Sequence, residues 1–182
     1  MDRSNHYEAA FEAWLQEQQL CYVAVDETRR SMLGDRLVKS LDFIVHGPYN
    51  ARLVIDVKGR RFPAGPREKR RRVWESWSTQ EDVDCLARWA ALFGDGYVGL
   101  LVFAYHVLAE VRLPDDTPDL FIWRNKRYLL RAVDVDEYRR HLRVRSPKWG
   151  TVAVPGRIFR DLVHPVSEFT HGLPVIPEDC PF

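Results

Sequence analysis

Two short apolar runs with charged residues at their ends constrain this chain more than any other feature. The first runs from Asp42 to Val45, and the second from Leu53 to Lys58. Between them lie Gly47-Pro48 and Asn50, residues typical of turns, so the two runs predict a β-hairpin. Isolated charges in a buried strand cost several kcal/mol unless they are paired or neutralised. We therefore expect these charged side chains to converge on a site of their own.

The expected hairpin register brings three of these charges together. A turn centred near Tyr49 places position 42 opposite position 56, with β-carbons roughly 5 Å apart. Asp56 and Lys58 are two residues apart on one strand and therefore share a face. Two carboxylates at this separation repel unless a cation lies between them, and Mg²⁺ is often held by one or two carboxylates. A metal site is thus predicted; the structural alternative is that Asp42 ends a strand and Asp56 pairs with Lys58 or an arginine.

Hydrophobic periodicity predicts an alternation of helices and strands around this hairpin. An amphipathic helix is expected from Asn5 to about Gln19, followed by a short strand over Leu20 to Val25. After the hairpin, a second helix is expected from Thr79 to Gly94, and a fully buried strand over Tyr97 to Val107. A long helix between two buried strands indicates a crossover connection in a mixed sheet.

The remaining segments carry weaker signals. Residues 28–39 are expected to form a loop, and residues 59–77 an exposed connection. A second hairpin over residues 120–133 and a basic helix that begins at Asp134 follow the buried strand. The tail from Ser146 is rich in proline and glycine and is expected to wrap the same domain.

The order helix–strand–hairpin–helix–strand, with Asp42 at the start of one strand and Asp56-Val57-Lys58 at the end of the next, resembles the PD-(D/E)XK nuclease superfamily. The resemblance covers about Tyr7 to Val107, and Leu41 stands where the motif that names the family has proline. It implies an α/β fold with a restriction-endonuclease-like mixed β-sheet core flanked by helices (αβββαβ). The core would occupy residues 1–110, with residues 111–182 as a C-terminal β-hairpin/helix extension packed on the same domain.

The resemblance also implies a function and a set of site residues. It implies an endonuclease that uses Mg²⁺ or Mn²⁺ to hydrolyse phosphodiester bonds, with DNA as the expected nucleic-acid partner. Asp42 and Asp56 match the two acidic metal ligands, Lys58 matches the catalytic lysine, and the Val57 carbonyl is a further implied ligand. Glu8 matches the glutamate that members carry on the first helix. The spacing Asn5-x-x-Glu8 is also that of a capping box, so a structural role for Glu8 stays open.

Basic residues near the expected site are predicted to contact nucleic-acid phosphates, which supply most sequence-independent affinity. They are Arg60, Arg61, Arg67, Lys69, Arg70, Arg71 and Arg72. Gln80, at the start of the second helix, is added because some family members use a glutamine in this region. The alternatives are a solvated charged surface for the basic run and an ordinary first-turn residue for Gln80.

Length and composition set the outer limits. A chain of 182 residues with 46% apolar content suits one folded α/β domain and argues against wholesale disorder. Three widely separated cysteines predict neither a disulfide framework nor a zinc site, and no signal peptide or membrane span is evident, so a cytoplasmic location is expected. Two other functions stay open, a catalytically inactive scaffold with this fold and an RNA-directed nuclease. The C-terminal third could recognise substrate, form a homodimer or cover the sheet.

Overall fold

The structure is a computed structural model that describes residues 5–25, 31–33, 36–69, 72–94 and 96–171. Its helices are α1 (His6–Glu17), α2 (Gln80–Phe93), α3 (Val135–His141), α4 (Gly156–Leu162) and α5 (Val166–Thr170). Its strands are β1 (Cys21–Ala24), β2 (Ser31–Leu33), β3 (Arg36–Val38), β4 (Phe43–His46), β5 (Arg52–Phe62), β6 (Trp77–Thr79), β7 (Tyr97–Val107), β8 (Leu120–Trp123), β9 (Lys126–Asp134), β10 (Arg143–Ser146), β11 (Thr151–Ala153) and β12 (His164–Pro165). None of the helices described here has the length and apolar character needed to cross a bilayer.

A mixed sheet forms the centre of the molecule. Within the described residues it has seven strands, in the order β1-β4-β5-β7-β9-β12, with β8 paired to β9. The central strands β5 and β7 are parallel from Arg52 opposite Tyr97 to Phe62 opposite Val107, and the other pairings in this sheet are antiparallel. A parallel pair needs a crossover connection, which α2 supplies. The predicted α/β fold, an αβββαβ core followed by a hairpin and a helix, is confirmed.

Alternate residues of β5 face opposite sides of the sheet. Leu53, Ile55 and Val57 belong to the apolar cluster that includes the buried face of α1. Val54 and Phe62 belong to a second cluster that includes the buried face of α2. Because side chains alternate along a strand, Asp56 and Lys58 lie on the α2 side of the sheet.

Two segments differ from the sequence-based expectation. β2 and β3 form a small hairpin inside the segment predicted as a loop. The segment predicted as an exposed connection begins instead as strand, since β5 continues through Gly59 and pairs with β7 as far as Phe62. Arg60, which was predicted to contact phosphates, is buried against Trp77.

The C-terminal part of the chain returns to the start of α2. β10, β11 and β6 form a separate three-stranded sheet within the described residues. In this sheet Thr151 pairs with Thr79, and the amide of Gln80 donates a hydrogen bond to the carbonyl of Gly150 at 2.8 Å. Residues after α3 therefore lie beside the elements that carry the candidate site.

Candidate active site

The β4–β5 register brings Asp42 next to Asp56. Phe43 pairs with Ile55, the register predicted from the turn, and the amide of Asp42 donates to the Ile55 carbonyl at 2.9 Å. β4 begins here, at Phe43, whereas β5 continues past Ile55. The Oδ2 atom of Asp42 then accepts a hydrogen bond from the amide of Val57 at 2.6 Å. Asp42 is thus buried against the edge of β5. Its hydrogen-bond partner, Val57, directly follows Asp56 in the chain.

Lys58 lies between two carboxylates. Its Nζ atom is 2.6 Å and 2.9 Å from the two carboxylate oxygens of Asp56, and 2.7 Å from Oδ2 of Asp82. The side chain of Lys58 is only 12% exposed. The predicted clustering of Asp56 and Lys58 on one face is confirmed by these distances.

Asp82 was not predicted as a site residue. It lies in the first turn of α2, where its amide donates to Oγ1 of the capping residue Thr79 at 3.0 Å. Its carboxylate binds Lys58 through one oxygen and Lys39 through the other, the latter at 2.6 Å, and its side chain is 5% exposed. One sequence signal could have revealed it. Asp82 directly precedes Val83 and lies four residues before Leu86, so it falls on the inward-facing stripe of α2.

The electrostatics of this cluster keep Lys58 charged. Burial on its own acts to lower the pKa of Lys58, but the carboxylates of Asp56 and Asp82 outweigh burial and the net pKa is raised. Burial likewise acts to raise the pKa of Asp82, but Lys58 and Lys39 hold it well below the ordinary aspartate range. At neutral pH Lys58 is therefore a buried cation, suited to stabilising negative charge rather than to accepting a proton.

Glu8 is buried in the first turn of α1, where its Oε1 atom accepts a hydrogen bond from the side-chain amide of Asn5. Asn5 also caps the helix, because its Oδ1 atom accepts from the amide of Tyr7 at 3.1 Å. This contact supports the capping role for Glu8. The same turn crosses β5 at Gly59, against which the ring of Tyr7 packs. Because side chains alternate along β5, the start of α1 lies over the face of the strand opposite to Asp56 and Lys58.

The donor set fits a hydrated divalent cation rather than a cage made of protein ligands alone. Among the described residues, no three His, Cys, Asp or Glu side chains are grouped to hold a metal ion. Asp42 and Asp56 nevertheless supply two carboxylates, and the Val57 carbonyl lies two residues beyond Ile55, the last residue of β5 that pairs with β4. Mg²⁺ commonly keeps several waters and takes one or two carboxylates plus substrate phosphates. A cavity of about 10 Å³ beside Asp56 and Asp82 has roughly the volume needed for one water.

Apart from Arg60, the predicted nucleic-acid contacts fall into three groups. Arg61, Lys69 and Arg72 are exposed, as a phosphate contact requires. Arg70, Arg71 and the side chain of Arg67 lie outside the described part of the structure. Gln80 donates through its side-chain amide to Oδ1 of Asp84 at 3.1 Å, along the surface of α2.

The prediction for Arg60 as a surface contact is wrong. Its guanidinium lies 3.7 Å from the ring centroid of Trp77 and donates to the carbonyls of Gly59 and Trp77. Arg60 is 7% exposed, and burial lowers its pKa. It reaches this position because even-numbered residues of β5 face α2 and the three-stranded sheet rather than solvent.

Comparison with known proteins finds similar chains among solved structures. No protein-family model and no curated protein sequence matches this chain. Among solved structures, the chain is similar to Hjc from Archaeoglobus fulgidus, a Holliday junction resolvase from an archaeal hyperthermophile. The two chains are 13% identical, and the match covers 90% of this chain and 96% of that chain with a TM-score of 0.49. This similarity transfers neither a substrate nor a residue's role to this chain.

Proposed function

We propose that this protein is a metal-dependent nuclease that hydrolyses phosphodiester bonds in DNA by means of an activated water. The supporting observations are the position of Asp42 where β4 begins beside β5, its hydrogen bond from the Val57 amide, and the contact between Asp56 and Lys58 on the adjoining part of β5. Two carboxylates match the ligand preference of Mg²⁺, and a buried cation beside them can stabilise charge that develops on a phosphoryl group.

Each residue has a distinct role in the proposed reaction. Asp42 and Asp56, with the Val57 carbonyl, would hold Mg²⁺ or Mn²⁺, and Glu8 is a further candidate ligand. When bound, such an ion lowers the pKa of a water and polarises a phosphoryl oxygen. Lys58 would orient the attacking water and offset the negative charge that grows on the phosphate in the transition state. Asp82 keeps the Lys58 ammonium in place through the 2.7 Å contact.

The exposed basic residues Arg61, Lys69 and Arg72 would bind the DNA backbone. Each phosphate contact contributes affinity without regard to sequence and weakens as salt concentration rises. Arg67, Arg70, Arg71 and Gln80 remain proposed contacts on the strength of the sequence.

A cleavage assay tests this function. Purified protein is incubated with single-stranded, duplex and branched DNA, and with RNA of the same sequence, in Mg²⁺, Mn²⁺ or EDTA. We expect metal-dependent cleavage of DNA, and at least a 100-fold lower rate for Asp56→Ala and Lys58→Ala, the scale expected when one transition-state contact is lost. Lys39→Ala is the matched control, since Lys39 also binds Asp82 but is half exposed.

The outcomes separate the alternatives. Cleavage that both Asp56→Ala and Lys58→Ala retain at the wild-type rate would show that this cluster is not the catalytic site. Preferential cleavage of RNA would keep the site but replace the substrate.

A non-catalytic scaffold is the second candidate function. It is favoured by the contacts of Lys58 with both oxygens of Asp56. The ammonium of Lys58 already balances the negative charge of the carboxylate that a metal ion would need as a ligand. Calorimetric titration with Mn²⁺ separates the two functions. Binding to wild type that Asp42→Asn and Asp56→Asn each abolish supports the nuclease, whereas no binding to wild type supports the scaffold.

A further inference from the structure

A basic hairpin with an exposed indole projects beside the candidate site. This β10–β11 hairpin comprises residues 143–153 and contains no acidic residue. Its three cations, Arg143, Arg145 and Lys148, are all exposed. The hairpin therefore presents a local charge of about +3 on a chain whose formal net charge is only +1.

The cations of the hairpin differ from those of the neighbouring helix α3. Arg139 lies 3.4 Å from Asp136 and 3.8 Å from Asp84, and Arg140 is paired with Glu137. Within the described residues, no carboxylate lies within ion-pair distance of Arg143, Arg145 or Lys148. The positive charge of α3 is thus neutralised locally, whereas that of the hairpin is available to an external anion.

Trp149 lies at the tip of the hairpin and is 71% exposed. It ends a single turn of 3-10 helix over Pro147–Trp149, and Gly150, at a φ of 56°, then turns the chain into β11. The ammonium of Lys148 lies 5.4 Å from the centroid of the indole. An exposed aromatic ring among unpaired cations is the combination that binds single-stranded nucleic acid, where bases stack and phosphates are neutralised.

The hairpin is connected to the candidate site through shared contacts. The guanidinium of Arg145 lies 5.1 Å from the ring centroid of Trp77. The guanidinium of Arg60 lies 3.7 Å from the same centroid. Arg60 is two residues beyond Lys58 on the same face of β5. In addition, β11 pairs through Thr151 with Thr79, the residue that caps α2 and so positions Asp82.

We propose that the β10–β11 hairpin binds a single-stranded segment of nucleic acid, with phosphates on Arg143, Arg145 and Lys148 and an unpaired base stacked on Trp149. A base in a blunt duplex is paired and stacked on its neighbours, so it does not offer its face to the indole. The proposal rests on the proposed function in one respect, which is that the bound strand is presented to Asp42, Asp56 and Lys58.

Binding without cleavage is measured in EDTA by fluorescence anisotropy of a labelled single-stranded oligonucleotide and the blunt duplex of the same sequence. Wild type is expected to prefer the single strand. Trp149→Ala should lose about tenfold in affinity for the single strand, in the range for one stacked base, and little for the duplex. The triple variant Arg143→Gln, Arg145→Gln, Lys148→Gln should lose at least tenfold for both, with a salt slope shallower by about 2.

The matched control is the double variant Arg139→Gln, Arg140→Gln, which removes two paired cations and should change affinity by less than about threefold. The hairpin proposal is overturned if Trp149→Ala and the triple variant bind the single strand as wild type does, or if the control loses as much as the triple variant. Wild-type cleavage in Mg²⁺ is scored separately. A protein that binds through the hairpin but never cleaves refutes the nuclease alone, and one that cleaves with unaltered binding in the hairpin variants refutes the hairpin site alone.

Discussion

At the scale of single residues, the decisive feature is a lysine shared by the buried carboxylate of Asp82 and the partly buried carboxylate of Asp56. Lys58 and Lys39 together balance Asp56 and Asp82, so the four side chains carry no net charge. Removing one member of a buried pair leaves the other charge uncompensated, which costs far more than the pair contributes as a whole. The fold should therefore tolerate loss of the half-exposed Lys39 much better than loss of Lys58.

Lys58→Met should lower the free energy of unfolding by about 3 kcal/mol, because it removes the cation between the carboxylates of Asp56 and Asp82. Lys39→Met should lower it by less than about 1 kcal/mol, because the Lys39 side chain is 50% exposed. Urea unfolding of the two variants at neutral pH makes the comparison. Equal losses would show that the two lysines share the balancing role.

The depressed pKa of Asp82 makes stability depend on acid pH. Since its pKa is lower in the folded protein than in the unfolded chain, the ionised carboxylate stabilises the fold above the ordinary aspartate value of about 3.9. That contribution is lost as pH falls through the folded value. Urea unfolding between pH 2 and pH 5 should therefore show a weaker pH dependence for Asp82→Asn than for wild type, and parallel curves would contradict the assignment.

The charged residues of β5 could be predicted because their relations are local. Period-two alternation places Asp56 with Lys58, and the turn residues fix the register that brings in Asp42. Asp82 joins Lys58 from a different element, 24 residues further along the chain. No local pattern specifies that contact, since it depends on how α2 packs on the sheet. Arg60 was misassigned for the same reason, because Trp77 comes from a separate strand.

At the scale of elements, helices were easier to predict than short strands. Asn5, Thr79 and Asp134 each cap a helix through a side-chain oxygen, as their residue types suggest. The three-residue strands β6 and β11 pair with each other across more than 70 residues of sequence. Strands of that length carry little periodicity, so their existence depends on tertiary contacts rather than on local sequence.

The contact between α1 and β5 depends on Gly59. A β-carbon at this position would lie 2.1 Å from Cδ2 of Tyr7, too close for any real contact. Gly59→Ala should therefore destabilise the protein by about 2 kcal/mol as the helix start is displaced. Combining it with Tyr7→Ala should cost less than the sum of the two single changes, which denaturant unfolding of all four proteins measures.

Gly156→Ala is the control for this prediction, because nothing lies within 4 Å of a β-carbon built at that position. It should change the free energy of unfolding by less than about 1 kcal/mol. Additive losses in the Tyr7 and Gly59 variants would mean that the clash is relieved elsewhere.

At the scale of the whole molecule, metal binding should appear as added stability. A ligand that binds only the folded state stabilises it by about 2.7 kcal/mol at 100 times its dissociation constant. Saturating Mg²⁺ or Mn²⁺ should therefore raise the melting temperature of wild type by several degrees. The double variant Asp42→Asn, Asp56→Asn should show no such rise. An equal rise in both proteins would place the bound metal elsewhere on the molecule.

The opposite orientation of neighbouring side chains along β5 has a consequence for how this protein can change. Leu53 and Ile55 belong only to the apolar layer beneath α1, whereas Asp56 and Lys58 face the other side. Substitutions in that apolar layer are thus separated from the charged cluster by the backbone of β5. A library randomised at Leu53 and Ile55 should yield variants of widely different stability that keep the same geometry at Lys58. Stability and catalytic activity can therefore be optimised in separate rounds of selection.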